Sequence, residues 1–134
     1  MNSRATKKYR IANKHRFAEL YNFAMQYPEW KKQLEEVSVI KSPDFDGLPR
    51  SGRPGNPTET IGIQTADLIS KVQLVELCAR ESDPDIWKTV LYAVTHPNIT
   101  YKWLSDNHRL YCGRDKYYLA RSKFYWLLDK RKDE

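Results

Sequence analysis

Residues 43–57, PDFDGLPRSGRPGNP, hold seven of the twelve glycines and prolines in the chain, and no helix or interior strand can run through them. Proline has no N–H to give and fixes φ, while glycine loses the most backbone freedom on ordering. The segment therefore reads as a linker between an N-terminal piece, residues 1–42, and a C-terminal piece, residues 58–134. At 134 residues the whole is about one domain's worth of chain.

Helical periodicity fills both pieces. From His15 to Tyr27, the residues Phe17, Leu20, Tyr21, Ala24 and Met25 recur at spacings of three and four. Past Pro28, Trp30, Leu34 and Val37 line one side of a second helix, Glu29 to Ile40, so the two pieces read as a helical hairpin or a bent helix. After the linker, Asn56-Pro57-Thr58-Glu59 carries a capping residue, a proline at the first helical position and Glu at the third. A long helix is expected from there to about Ser82, with a stripe of Ile61, Leu68, Ile69, Val72, Val75 and Ala79 that Leu74, Leu77 and Cys78 widen. Asp83-Pro84 repeats the start signal for a helix whose apolar face is Trp87, Val90, Leu91 and Val94, stopped by His96-Pro97. Thr100 caps a short helix over Tyr101 to Asn107, and a last helix runs from about Gly113 to Arg131. Strand signals are weak, so the expected fold is all-α: hairpin, linker, long helix and a C-terminal helix-turn-helix.

Charge is distributed unevenly. The net +6 hides a basic start (six bases and no acid in residues 1–16), an acidic middle (−4) and a basic end (+4 over residues 109–134). Two basic ends around an acidic middle suit a polyanion held at two places, and nucleic acid leads. The first sixteen residues lack an apolar stretch and no run approaches a membrane span, so neither a secretory signal nor a membrane is expected, and the reading is cytoplasmic.

The medium, short and long helices of residues 83–131 match what a helix-turn-helix needs, two helices bracing a third that enters the major groove. On a wheel, Tyr117, Ala120, Phe124, Leu127 and Leu128 form the core stripe of the last helix, and Arg114, Tyr118, Arg121, Ser122 and Tyr125 face outward. That outward set offers groups for guanine edges, phosphates and thymine methyls. Gly113 and Arg114 stand at the positive end of the helix dipole, and Lys123, Lys130, Arg131 and Lys132 suit phosphates. The loop from His108 to Cys112 exceeds the three or four residues of a tight turn. The N-terminal bases read as an arm along the duplex, or as a solvated tail. Aromatics interleaved with bases in KYYLARSKFYW also suggest stacking of unpaired bases, but helical spacing takes half of them into the core and leaves Tyr118, Tyr125 and Trp126 outside.

Chemistry finds little support. Cys78, His96, His108 and Cys112 lack the spacing of a zinc site, and Asp44 and Asp46 sit in the linker rather than on rigid elements. Neither GxSxG nor GxxxxGK occurs. No catalytic residue, metal or cofactor is expected. The long helix nearly keeps an a/d pattern (Ile61, Thr65, Leu68, Val72, Val75, Ala79), which serves either a homodimer or packing on the upstream helices.

Four segments, YNFAMQYPEWKKQL, DGLPRSGRPGNPTE, DLISKVQLVELCARESDPDIWKTVLYAVT and CGRDKYYLARSKFYWLLDKRK, together resemble the phage and prophage late transcriptional regulators of the RinA/ArpU type, from Gram-positive bacteria. The resemblance implies a sigma-factor-like helix-turn-helix and activation of late genes for packaging and virion assembly, in a bacterial host and at the nucleoid. It places the reading helix at Arg114, Lys116, Tyr118, Arg121 and Ser122, on double-stranded DNA of a promoter region, with host RNA polymerase as a further partner. A small-terminase-like packaging component and a polymerase-interacting module are the alternatives.

Overall fold

The computed structural model describes residues 7–40 and 56–133, with side chains placed at 7–37 and 62–133. Among the described residues six helices carry the fold: α1 (Lys14–Met25), α2 (Tyr27–Ile40), α3 (Asn56–Ser82), α4 (Trp87–Thr95), α5 (Tyr101–Asp106) and α6 (Arg114–Arg131). No strand occurs among the described residues, so the protein is all-α as expected. The linker up to residue 55, with Arg50, Arg53, Asp44 and Asp46, lies outside the described residues. Its last two residues, Asn56 and Pro57, belong to the first turn of α3.

Local chemistry explains the helix ends. Asn13 caps α1, its side-chain oxygen accepting the N–H of His15 at 2.9 Å and of Arg16 at 3.3 Å. Such a cap contributes about 1 kcal/mol. The chain breaks at Gln26, and α2 starts at Tyr27 rather than Glu29, because Pro28 in a first turn removes an N–H that has no helical partner. The start signal at Asp83-Pro84 is corrected: the Asp83 carboxylate accepts the Asp85 N–H at 2.9 Å, residues 84–86 form a turn, and α4 begins at Trp87. Asp turned back on its own backbone competes with helix. Thr100 caps α5 as expected, accepting the Trp103 N–H at 3.0 Å.

The long loop between α5 and α6 is held in place. Leu110 is buried, the Tyr101 hydroxyl donates to the Cys112 carbonyl at 3.1 Å, and Thr89 Oγ1 donates to the Arg109 carbonyl at 2.9 Å. His108 takes a left-handed φ of 55°, which lets the chain turn out of α5.

α3 packs on α2, α4 and α6, while α1 closes over α4 and α6. The main core gathers Leu20, Trp30, Val75, Val90, Phe124 and Leu128, and a smaller one joins Ala93, Leu104, Leu110 and Tyr117 beneath the α5–α6 loop. Each fully buried large side chain stabilises the fold by ~1.5–3 kcal/mol. On α3, Val72, Val75, Cys78 and Ala79 are buried, so most of the described a/d stripe is used within the chain. Ile69, expected in the wider apolar stripe, and Leu77, expected to widen it, are exposed instead. The Tyr27 hydroxyl donates to Glu76, and Lys31 approaches the same carboxylate at 3.9 Å, which fastens α2 to α3.

Candidate nucleic-acid interface

α6 is the central helix of the C-terminal half, and its inner stripe falls where the spacing puts it. Tyr117, Ala120, Phe124, Leu127 and Leu128 are all buried. Gly113 precedes it in extended conformation with no side-chain cap, so the first N–H groups of α6 look outward at the positive end of its dipole.

The expected outward set divides. Arg114 is exposed, and Tyr118, Arg121 and Ser122 are half-buried at the surface. Tyr125 is corrected: it is only 2% exposed, with Phe17 of α1 packed against it in a tilted arrangement, ring centroids 4.9 Å apart. Burial pushes its hydroxyl up to about 12, so it remains a protonated donor at neutral pH. Trp126, also expected outside, is half-buried beneath Tyr9.

The cations of this region fall into two kinds. Lys116 lies 3.2 Å from Asp85 and 3.9 Å from Asp83, and its pKa is raised by the bond to Asp85. Arg131 meets Glu81 at 2.6 Å, and that bond holds the Glu81 carboxyl below its ordinary range. Arg16 is held by Asp129 at 2.6 Å, Asp133 at 3.1 Å and Glu19 at 3.1 Å. Lys132 approaches Asp133 at 3.4 Å. Arg16, Lys116 and Arg131 thus tie separate parts of the fold together, whereas Lys132 pairs with its chain neighbour.

The second kind rests on aromatic rings. Arg114 stands over Tyr118 (5.6 Å to the centroid), Arg121 over Tyr125 (5.2 Å), Lys123 over Tyr9 (5.8 Å) and Lys130 over Trp126 (4.6 Å). Among the described residues none of these four has an acidic partner within ion-pair distance. A ring positions a cation without neutralising it, so its N–H groups remain open to an external anion.

The arm extends this surface. Tyr9 meets Trp126 edge-on at 5.1 Å, and Ile11 packs against the main core, so the arm's Lys7, Lys8 and Arg10 stand beside α6 rather than trailing from it. Sequence periodicity missed this packing. Its one signal was an aromatic residue, Tyr9, inside a run of bases. A second missed feature lies on the far side, where Arg109 stacks over Tyr92 at 4.6 Å and lies 5.8 Å from Trp103.

Among the described residues no group of three or more His, Cys, Asp or Glu is placed to hold a metal ion, and no helix is long and apolar enough to cross a membrane. Cys78 and Cys112 are free thiols; burial pushes Cys78 up to about 11. No family model, curated protein or solved structure matches the chain.

Proposed function

We propose that the protein is a sequence-specific double-stranded DNA-binding transcription regulator that reads the duplex with α6. The observation that carries this reading is the set of ring-backed cations with no acidic partner among the described residues, on the one long helix that α4 and α5 brace. Arg114, at the start of α6, and Arg121, two turns later, can reach guanine edges, with Tyr118 and Ser122 between and beside them. Lys123, Lys130 and the arm fit the phosphates that flank the groove, and the uncapped N–H groups after Gly113 suit another. Lys116 and Arg131 serve as struts in this account. The role as activator of phage late genes rests on the resemblance of the sequence segments to late regulators.

Selection of bound sequences from a random duplex pool, followed by footprinting on the selected site, tests the reading. One recurrent site, abolished by Arg114→Ala or Arg121→Ala, is expected. Equal affinity for every duplex contradicts sequence-specific reading, and absence of duplex binding contradicts the interface itself.

A further inference from the structure

Between the arm and α6 lies a half-open pocket of about 260 Å³, walled by Lys7, Arg10, Arg121, Ser122, Tyr9 and Tyr125 among others. Three cationic side chains converge there. Among the described residues no acidic side chain lines the pocket and none of the three cations has an acidic partner. Like charges gathered without counter-charge repel one another, and an anion in their midst relieves that repulsion. The Tyr125 ring closes one wall, with the Arg121 guanidinium 5.2 Å from its centroid.

The shape and charge narrow the ligand. A backbone phosphodiester carries one negative charge, whereas a phosphate monoester approaches two at neutral pH, nearer to what three bases can hold. The rings of Tyr9, Phe17 and Tyr125 add an apolar wall that a bare inorganic ion would leave uncovered. We propose that this pocket binds a phosphate monoester, its phosphoryl oxygens held by Lys7, Arg10, Arg121 and the Ser122 hydroxyl, and its organic part resting on the aromatic wall. The monoester comes either from a free phosphorylated small molecule or from the 5′-phosphorylated end of a nucleic acid. The site shares Arg121, Ser122 and the arm's bases with the proposed duplex-reading surface, and its own ligand is bound in the absence of DNA.

Calorimetric titration of the full chain at about 0.15 M salt, where exposed charges are largely screened, tests it with defined probes. Adenosine 5′-monophosphate is expected to bind at one site with a Kd below about 1 mM, while adenosine does not bind and inorganic phosphate binds more weakly. Arg121→Gln, or Lys7→Gln with Arg10→Gln in the arm, lowers that affinity tenfold or more; the arm variant keeps the test intact if the helix variant fails to fold. A 5′-phosphorylated single-stranded oligonucleotide that competes with the monophosphate and binds more tightly identifies the nucleic-acid end as the source; no advantage over the unphosphorylated strand identifies the small molecule. No saturable binding of the monophosphate, or unchanged affinity in the Lys7/Arg10 variant, overturns the proposal.

Discussion

Lys116 and Arg121 lie little more than a turn apart on the same helix and do different work. Lys116, on the side facing the α3–α4 turn, ends on Asp83 and Asp85, whereas Arg121, on the side facing the arm, ends on an aromatic ring with no acid beside it among the described residues. Arg131 repeats the first pattern against Glu81, and Arg114, Lys123 and Lys130 repeat the second. The difference teaches that a basic helix is not uniformly sticky. Its formal charge divides into cations that hold the fold together and cations held ready for something outside it, and only the partner of each head group tells them apart.

The largest effect removes what both sides share. Phe124 is fully buried where α6 meets the main core, and Phe124→Ala is expected to destabilise the fold by ~3–5 kcal/mol, read by denaturant titration, with duplex binding abolished alongside. A variant that was less stable but bound DNA as before would show that binding does not depend on a folded α6.

The next effect separates the two sides. Arg121→Ala is expected to weaken duplex binding tenfold or more, the equivalent of ~1–3 kcal/mol, while Lys116→Ala changes it far less, both measured by fluorescence anisotropy. Equal losses would erase the distinction. In stability the ranking reverses, because Lys116→Ala releases the two aspartates of the α3–α4 turn. That cost is small, in keeping with half-exposed ion pairs.

A finer test uses acid. The Glu81 carboxyl, held by its bond to Arg131, and the Asp133 carboxyl, held by Lys132 and Arg16, both lie below their ordinary range. Their folded values sit beneath their unfolded ones, so their contribution is present at neutral pH and fades as the pH falls through the lowered values. Thermal melts taken from neutrality down past about pH 4 should show a shallower loss of Tm in Glu81→Gln than in the parent. An unchanged slope would mean that the strut side of α6 contributes nothing to acid sensitivity.

The smallest effect concerns Tyr117, whose buried hydroxyl has no partner among the described residues. Tyr117→Phe removes an unsatisfied polar atom and should leave stability equal or raise it by up to ~1 kcal/mol, as measured in urea. A drop would reveal a hydrogen bond at that site.

Much of the fold was legible because helix ends and inner stripes are local. The three- and four-residue spacing from Tyr117 to Leu128 placed a buried face correctly, and Thr100 capped where a threonine before an apolar run should. The failures were long-range. Tyr125 sits on the outward side of the wheel, and Phe17, more than a hundred residues earlier, packs over it. The acids that occupy Lys116 and Arg131 lie 31 and 50 residues away, so no local pattern reports them. Asp83-Pro84 misled for the opposite reason, since the same side chain that caps helices also closes a turn on itself. At the candidate interface the sequence located the helix and most of its surface residues. It had no means of sorting them by partner or of seating the arm against them.

The division of cations on α6 is tested most directly by the salt dependence of duplex affinity in three proteins: the parent, Lys123→Ala/Lys130→Ala, whose head groups face phosphates in the proposed complex, and Lys116→Ala. Each cation removed from the duplex-facing surface lowers the slope of log K against log salt by about one, because one fewer counterion is released on binding. The double variant should show a slope shallower by about two together with a large fall in affinity, and Lys116→Ala should keep the parent slope. Parallel slopes for parent and double variant, or a slope lowered as much by Lys116→Ala, would contradict the account.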